Sequence, residues 1–312
     1  MPVNSNARFI LTTSIILLAG IALAFLFLTF DTSSSLIIFQ VRLPRLLLGL
    51  LVGAILAGCG SIYQMMLNNP LAEPYILGIS SGSAFFATLA GLSGMVWLMP
   101  IAGFAGALLT MLLVWTIAHI GGWRDTAKLL LAGIIAGMFF SACISLLMYL
   151  NQKDIGIIIN VLMGNLGRVF THSEWSVFGI VGIVAVLLLG YLYLLSLKLN
   201  IMSTGDLSAE SLGINVRSLR MQIFVITSLL VGVTVSFAGI IGFIGLIIPH
   251  IVRMLIGPDQ KKVYPLSILV GAVFLVLCDF LSMHLAVMEL PVGIITSFLG
   301  APFFVYILVK SR

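Results

Sequence analysis

The stretch FILTTSIILLAGIALAFLFLTF, residues 9–30, decides the class of fold. It carries no charged residue over its whole length. A bilayer core about 30 Å thick takes roughly 20 mostly apolar residues in a helix. In lipid the backbone must satisfy its own hydrogen bonds, so a run of this length is a helix and not an open strand. It is too long for the apolar core of a secretion signal and lacks a small-residue cleavage site, so it reads as a first span. Comparable runs fill the rest of the chain. They place ten spans at about 9–30, 44–66, 75–91, 95–118, 127–150, 175–197, 219–238, 240–256, 263–285 and 291–309. The third, seventh and eighth are short or abut their neighbours.

Composition agrees. Hydrophobic residues are 61% of 312 and charged residues 8%, against about 25% charged in a soluble chain. The hydrophilic gaps 31–43, 151–174 and 198–218 are too short for a soluble domain. The expected fold is an all-α integral membrane protein of about ten transmembrane helices, with residues 1–312 as a single transmembrane domain. The net charge of +5 comes from basic residues scattered singly between apolar runs, which excludes a nucleic-acid surface and suits loops flanking a membrane.

Lysine and arginine fix the orientation. With the N-terminus inside, one set of loops holds Arg8, Arg124, Lys128, Lys198, Arg217, Arg220, Arg253, Lys261, Lys262, Lys310 and Arg312. The other holds only Arg42, Arg45, Lys153 and Arg168. The positive-inside rule puts both termini in the cytoplasm. The helices also carry small residues on one face, at Gly49 and Gly53, Ala54 and Gly58, Gly78 and Gly82, and Gly133 and Gly137. Such faces let helices approach closely in lipid.

Several chemistries are missing from the sequence. There is no G-x-x-x-x-G-K-[ST] phosphate loop. Cys59, Cys143 and Cys278 all lie in apolar runs, and His119, His172, His250 and His284 have no metal-ligand spacing, so no metal site is expected. Asp279 is the strongest charge inside a span. It is either a functional carboxylate or an acceptor for hydrogen bonds inside the bundle.

Six polar stretches then occur in order: RLPR at 42–45, NNPLAEPYILGISSG at 68–82, GDLSAESLGI at 205–214, GFIGLIIPHIVR at 242–253, ELPVG at 289–293 and GAPFF at 300–304. Together they closely resemble the FecCD family of ABC-importer permeases, whose members move ferric siderophores, haem, cobalamin and similar metal chelates. The resemblance runs from about residue 42 to 309. It implies a subunit of ten helices in the bacterial cytoplasmic (inner) membrane that pairs with a second permease subunit, identical or paralogous. Two ATPase subunits, which carry ATP and magnesium, dock below, and an extracytoplasmic solute-binding protein docks above. The chain itself would hold no cofactor and perform no hydrolysis.

The resemblance also assigns residues. Gly205, Asp206, Leu207, Ser208, Ala209, Glu210, Ser211, Leu212 and Gly213 form a cytoplasmic segment that would couple the permease to the ATPase. Ser203 and Asp206 read as a helix start and Gly213 as its stop, with Leu207 and Leu212 as apolar anchors. Read without the family, the same segment is an interfacial helix. Arg42 and Arg45 stand on the outer side as exposed guanidinium groups, with Pro44 starting the second span. They would meet acidic residues of the binding protein, or else snorkel to lipid headgroups. The family's further arginine in the ninth helix is absent, because the region reads Asp279-Phe280-Leu281-Ser282-Met283-His284. That leaves His284 as a replacement, or a paralogous partner to supply the charge. The fifth and tenth helices would line the path, with Met138, Ser141, Ser145, Thr296 and Ser297 beside it. Small polar residues in spans also serve as helix–helix contacts. An ion-coupled secondary transporter would need inverted repeats and midplane charges, and a membrane enzyme a polar catalytic cluster. Neither pattern is evident.

Overall fold

The computed structural model describes residues 5–31, 34–120, 126–167 and 172–310. Arg124, Arg168 and Arg312, used above for orientation, lie outside them. Helices in chain order are α1 Ser5–Thr29, α2 Ser35–Met66, α3 Ile79–Leu92, α4 Met99–Ile120, α5 Thr126–Leu150, α6 Ile155–Met163 and α7 His172–Leu194. Then follow α8 Ser196–Met202, α9 Asp206–Ser211, α10 Val216–Ala238, α11 Ile244–Ile256, α12 Gln260–His284 and α13 Val292–Lys310. Seven are long and apolar enough to cross a membrane; α3, α11 and α13 are shorter apolar helices. These make the ten crossings the sequence leads one to expect, with α6, α8 and α9 as short helices between them.

The bundle is built around α2. Its most apolar window is 83% buried, whereas that of α1 is 0% buried, so α2 is the hub and α1 faces lipid. Small residues bring α2 and its neighbours together. A Cβ on Gly53 would lie 2.3 Å from the Gly271 carbonyl oxygen of α12, and one on Gly60 would lie 2.0 Å from the Gly245 oxygen of α11. Gly78 similarly abuts Gly133 and Gly137 of α5. Without a hydrophobic force between helices in lipid, such backbone contact is what packing has to offer. The glycine pairs read from the sequence at 49–53, 78–82 and 133–137 therefore each supply at least one close contact.

Four boundaries differ from the sequence reading, each for a physical reason. The second span begins at Ser35 rather than Pro44, so part of the expected outer gap is helical. Pro44 has no N–H to donate, and the helix continues past it by widening into a π-type turn over Ile38–Arg42. The third crossing starts at Ile79, since Pro74–Leu77 forms a tight 3-10 turn closed by Gly78 at φ 69°. The seventh and eighth are separated by Gly239–Phe243, with positive φ at both ends of that joint. The gap 151–174 contains α6, which folds back so that Ile240 N–H donates to Val161 O at 3.0 Å and Asn165 N–H to Ala238 O at 2.8 Å.

Candidate functional site

Three regions carry the residues singled out above, one at each membrane face and one between them. At the cytoplasmic face, α9 is a six-residue helix between Gly205 (φ 122°) and Gly213 (φ 80°). Its C-terminus closes with Gly213 N–H on Glu210 O at 2.9 Å and Ile214 N–H on Ala209 O at 3.0 Å, the paired bonds of a Schellman stop. The stop is where the sequence placed it, but the start is not. Gly205 is the N-cap, while Ser203 ends α8 and donates its hydroxyl to Asn200 O. The anchoring residues are also different. Leu207 is 83% and Leu212 68% exposed, and Ala209 is the fully buried residue. Leu207 and the C-cap Leu212 are five residues apart, about 140° around a helix, so one buried face cannot take both. The segment rests on the small side chain of Ala209 and turns its leucines outward. Asp206 pairs with Arg220 of α10 at 2.9 Å and ties the segment to the bundle.

At the outer face the two arginines are not exposed as the sequence reading had them. Arg45 is 4% exposed; its Nε and Nη2 donate to the two Asp279 oxygens at 2.7 and 2.9 Å, and Nη1 donates to Glu289 Oε2 at 2.7 Å. This is a bidentate fork, the strong form of a charge-assisted bond. Arg42, also buried, donates to Phe27 O at 3.0 Å and to Phe30 O, where a cation meets the negative end of α1. Because the helix extends back to Ser35, both arginines project from a helical wall and not from a loop. Asp279 is therefore the bundle-facing acceptor that the sequence left as one of two readings. Ser282, where an arginine was sought, is buried and donates to Asp279 O at 2.8 Å. His284 packs edge-to-face against Phe30 and at a tilt against Phe280. Beyond Ser282 the turn to α13 exposes Leu285, Val287 and Met288.

Between the faces, a cleft of about 680 Å³ lies among the end of α6, the Gly239–Phe243 joint and α13. Met163, Gly242, Gly293, Ser297, Phe298 and Pro302 border it, and its lining holds no charge. Ser297 thus lies on the cleft. Thr296 does not: it is fully buried, with its hydroxyl on Gly293 O at 3.1 Å. On α5, Met138, Ser141 and Ser145 share one exposed face, as their i, i+3, i+7 spacing requires. Ser145 gives its hydroxyl to Ser141 O at 3.0 Å.

A further polar cluster was not singled out from the sequence. Gln64 of α2 donates to Gly245 O and Leu246 O of α11 at 3.1 and 2.9 Å and accepts from Arg253. Arg253 also donates to Ser61 O, and Gln260 donates to Ser61 Oγ at 2.7 Å. Glu73 accepts from Phe243 N–H at 2.9 Å and caps α11. A Gln near the cytoplasmic end of an otherwise apolar span was the available signal.

Ten crossings among the described residues, an uncharged cleft bordered by α13, and a small exposed helix on the cytoplasmic side fit a membrane permease. The chain belongs to the FecCD transport family, whose model matches residues 8–310. It is 37% identical over 278 residues to the cobalamin import system permease of Halobacterium salinarum, covering 88% of this chain and 74% of that one. It is also 37% identical to the Fe(3+)-citrate import system permease of Bacillus subtilis, covering 93% and 86%. A solved structure described as an inward-facing, metal-chelate type ABC transporter matches 95% of this chain and 97% of its own. The TM-score is 0.86 at 32% identity. The chain is thus an ABC-importer permease and not itself an ATPase.

Proposed function

We propose that this permease carries a metal chelate, first of all a ferric siderophore, across the bacterial cytoplasmic membrane. It works as one of two permease subunits, identical or paralogous, driven by two ATPase subunits that hold ATP and magnesium. An extracytoplasmic binding protein delivers the cargo. The observation that carries the reading is the uncharged cleft between α6, the joint and α13. A wall of methyl, phenyl and glycine surface with a single hydroxyl at Ser297 gives a bulky chelate little to bind tightly, which favours passage over retention. The exposed Leu207 and Leu212 supply apolar surface for the ATPase, and Met138, Ser141 and Ser145 would complete the path on α5. A second reading, cobalamin as cargo, is favoured by the likeness to a cobalamin permease at the same identity as to the iron-citrate one.

The test is uptake into proteoliposomes holding the chain, its ATPase and its binding protein. A ferric siderophore, ferric citrate, cobalamin and haem are offered in turn, with and without ATP and with a protonophore. ATP-dependent siderophore uptake that survives the protonophore is expected. Uptake driven by the proton gradient without ATP would replace the importer reading with an ion-coupled one. Full activity with no second permease gene would exclude the paralogous pair.

A further inference from the structure

Helix α11 is a short rod of 13 residues, with Pro249 inside it, between two joints. At its inner end, Phe243 holds φ 71°, and at its cytoplasmic end Gly257 holds φ 91°. Left-handed backbone is costly for a phenylalanine and persists only where its surroundings enforce it. Here Glu73 holds the Phe243 N–H, and the ring base sits against α13: a Cβ on Gly300 would fall 2.7 Å from Phe243 Cβ. The inner end of α11 therefore bears directly on the helix that borders the cleft.

The cytoplasmic end of the rod is joined to the segment that leads into α9. Asn200 of α8 donates to Asp259 Oδ1 at 2.8 Å and accepts from Gln260 N–H at 2.9 Å. Asp259 is the N-cap of α12 and Gln260 its first residue, just past the short link from α11. From Gln260 the bonds continue through Ser61 to Arg253 and Gln64, and Gln64 grips the first carbonyls of α11, Gly245 and Leu246. The cluster opens on a cytoplasmic cleft of about 610 Å³ that Asn200, Asp259, Gln64 and Arg253 all border. Within this cluster the buried Gln260 Oε1 has no hydrogen-bond partner among the described residues, so the cluster is connected without being locked in a single arrangement.

Resting on the importer reading, we propose that Asn200, Gln64 and Arg253 are positioning residues that tie the seat of the coupling segment to the tilt of α11. Phe243 passes that tilt to α13 through Gly300. When an ATPase moves α8 and α9, the start of α12 at Asp259 and Gln260 moves with Asn200, and the link to α11 follows. The rod turns on its two joints, and its inner end shifts the wall of the cleft. The network supplies the contiguous contacts, and the hinged rod supplies the element with two settings that such coupling needs.

The experiment uses the permease assembled with its ATPase in nanodiscs. Cys143→Ala removes the partly exposed thiol. Spin labels at Met138→Cys on α5 and Phe298→Cys on α13 report the distance across the path, with and without ATP and vanadate. In the unaltered network, trapping nucleotide should change that distance. In Asn200→Ala and in Gln64→Met, vanadate trapping on the bound ATPase should persist. The distance response should collapse, with the equilibrium between the two settings coupled about fivefold or more weakly to nucleotide. Asn200 is only half-buried, so that variant keeps the test open if Gln64→Met fails to assemble. A full response in either assembled variant overturns the relay and leaves the importer reading intact. No nucleotide response in the parent complex overturns both.

Discussion

The two faces of this permease carry their charged and apolar side chains in opposite ways. At the outer face Arg45 is enclosed by Asp279 and Glu289, and Arg42 by the carbonyls ending α1. At the cytoplasmic face α9 buries only Ala209 and leaves Leu207 and Leu212 in the open. The first arrangement is complete within one chain. The second exposes apolar surface without gaining anything from it inside the chain, as a surface does when a partner covers it. A motif that marks a contact in a family can thus be internal structure at one end of a molecule and free surface at the other.

Opening the outer cluster should have the largest effect. Arg45→Met leaves Asp279 buried without its partner, and Asp279→Asn leaves Arg45 only the partly exposed Glu289. Breaking a buried pair typically costs about 3–5 kcal/mol. A large fall in thermal stability in detergent is expected, and the double reversal Arg42→Glu with Arg45→Glu should fare no better. If these variants kept full stability and lost only binding-protein docking, the arginines would be contact residues and the outer face would not be closed.

The cytoplasmic face should respond in the converse way. Leu207→Asp touches no core, so the melting temperature of the chain alone should not move. Affinity for the ATPase should fall by about 2 kcal/mol, roughly 30-fold, as for a central apolar contact. Asp206→Lys with Glu210→Lys should uncouple hydrolysis from transport. It should cost the chain itself less than about 1 kcal/mol, since the Asp206–Arg220 pair is partly exposed. Unchanged transport in that double variant would count against the coupling role.

The smallest expected effect sharpens the boundary between the two behaviours. Glu289 is 57% exposed while its partner Arg45 is 4% exposed. Glu289→Gln should cost at most about 1 kcal/mol in stability, because Asp279 retains the fork. A stability loss as large as that of Asp279→Asn would mean that the cluster is held from the turn and not from α12.

The sequence made the ten crossings legible because seven are long runs with few charges and the other three are shorter apolar runs between them, and the Gly213 stop because αL geometry favours glycine. It made the close helix pairs legible at Gly53 and Gly78, where a side chain cannot fit. It did not reveal that Arg42 and Arg45 turn inward. That depends on Asp279 and Glu289, more than 230 residues away, and on a helix continuing past Pro44. Nor did it reveal the Gln64–Arg253 cluster, whose members come from separate helices and meet only after packing. Leu207 and Leu212 were read as anchors because apolar residues usually are, but they stand five residues apart and cannot share the face that Ala209 buries.

If the cytoplasmic segment is the surface that a partner covers, its backbone amides must change when the partner binds. Amide hydrogen exchange on the chain in nanodiscs, with and without its ATPase, measures this directly. Protection should appear on adding the ATPase across Asp206–Ile214, while the amides around Arg45 and Asp279 stay as slow as before. Protection elsewhere on the cytoplasmic face with Asp206–Ile214 unchanged would contradict it.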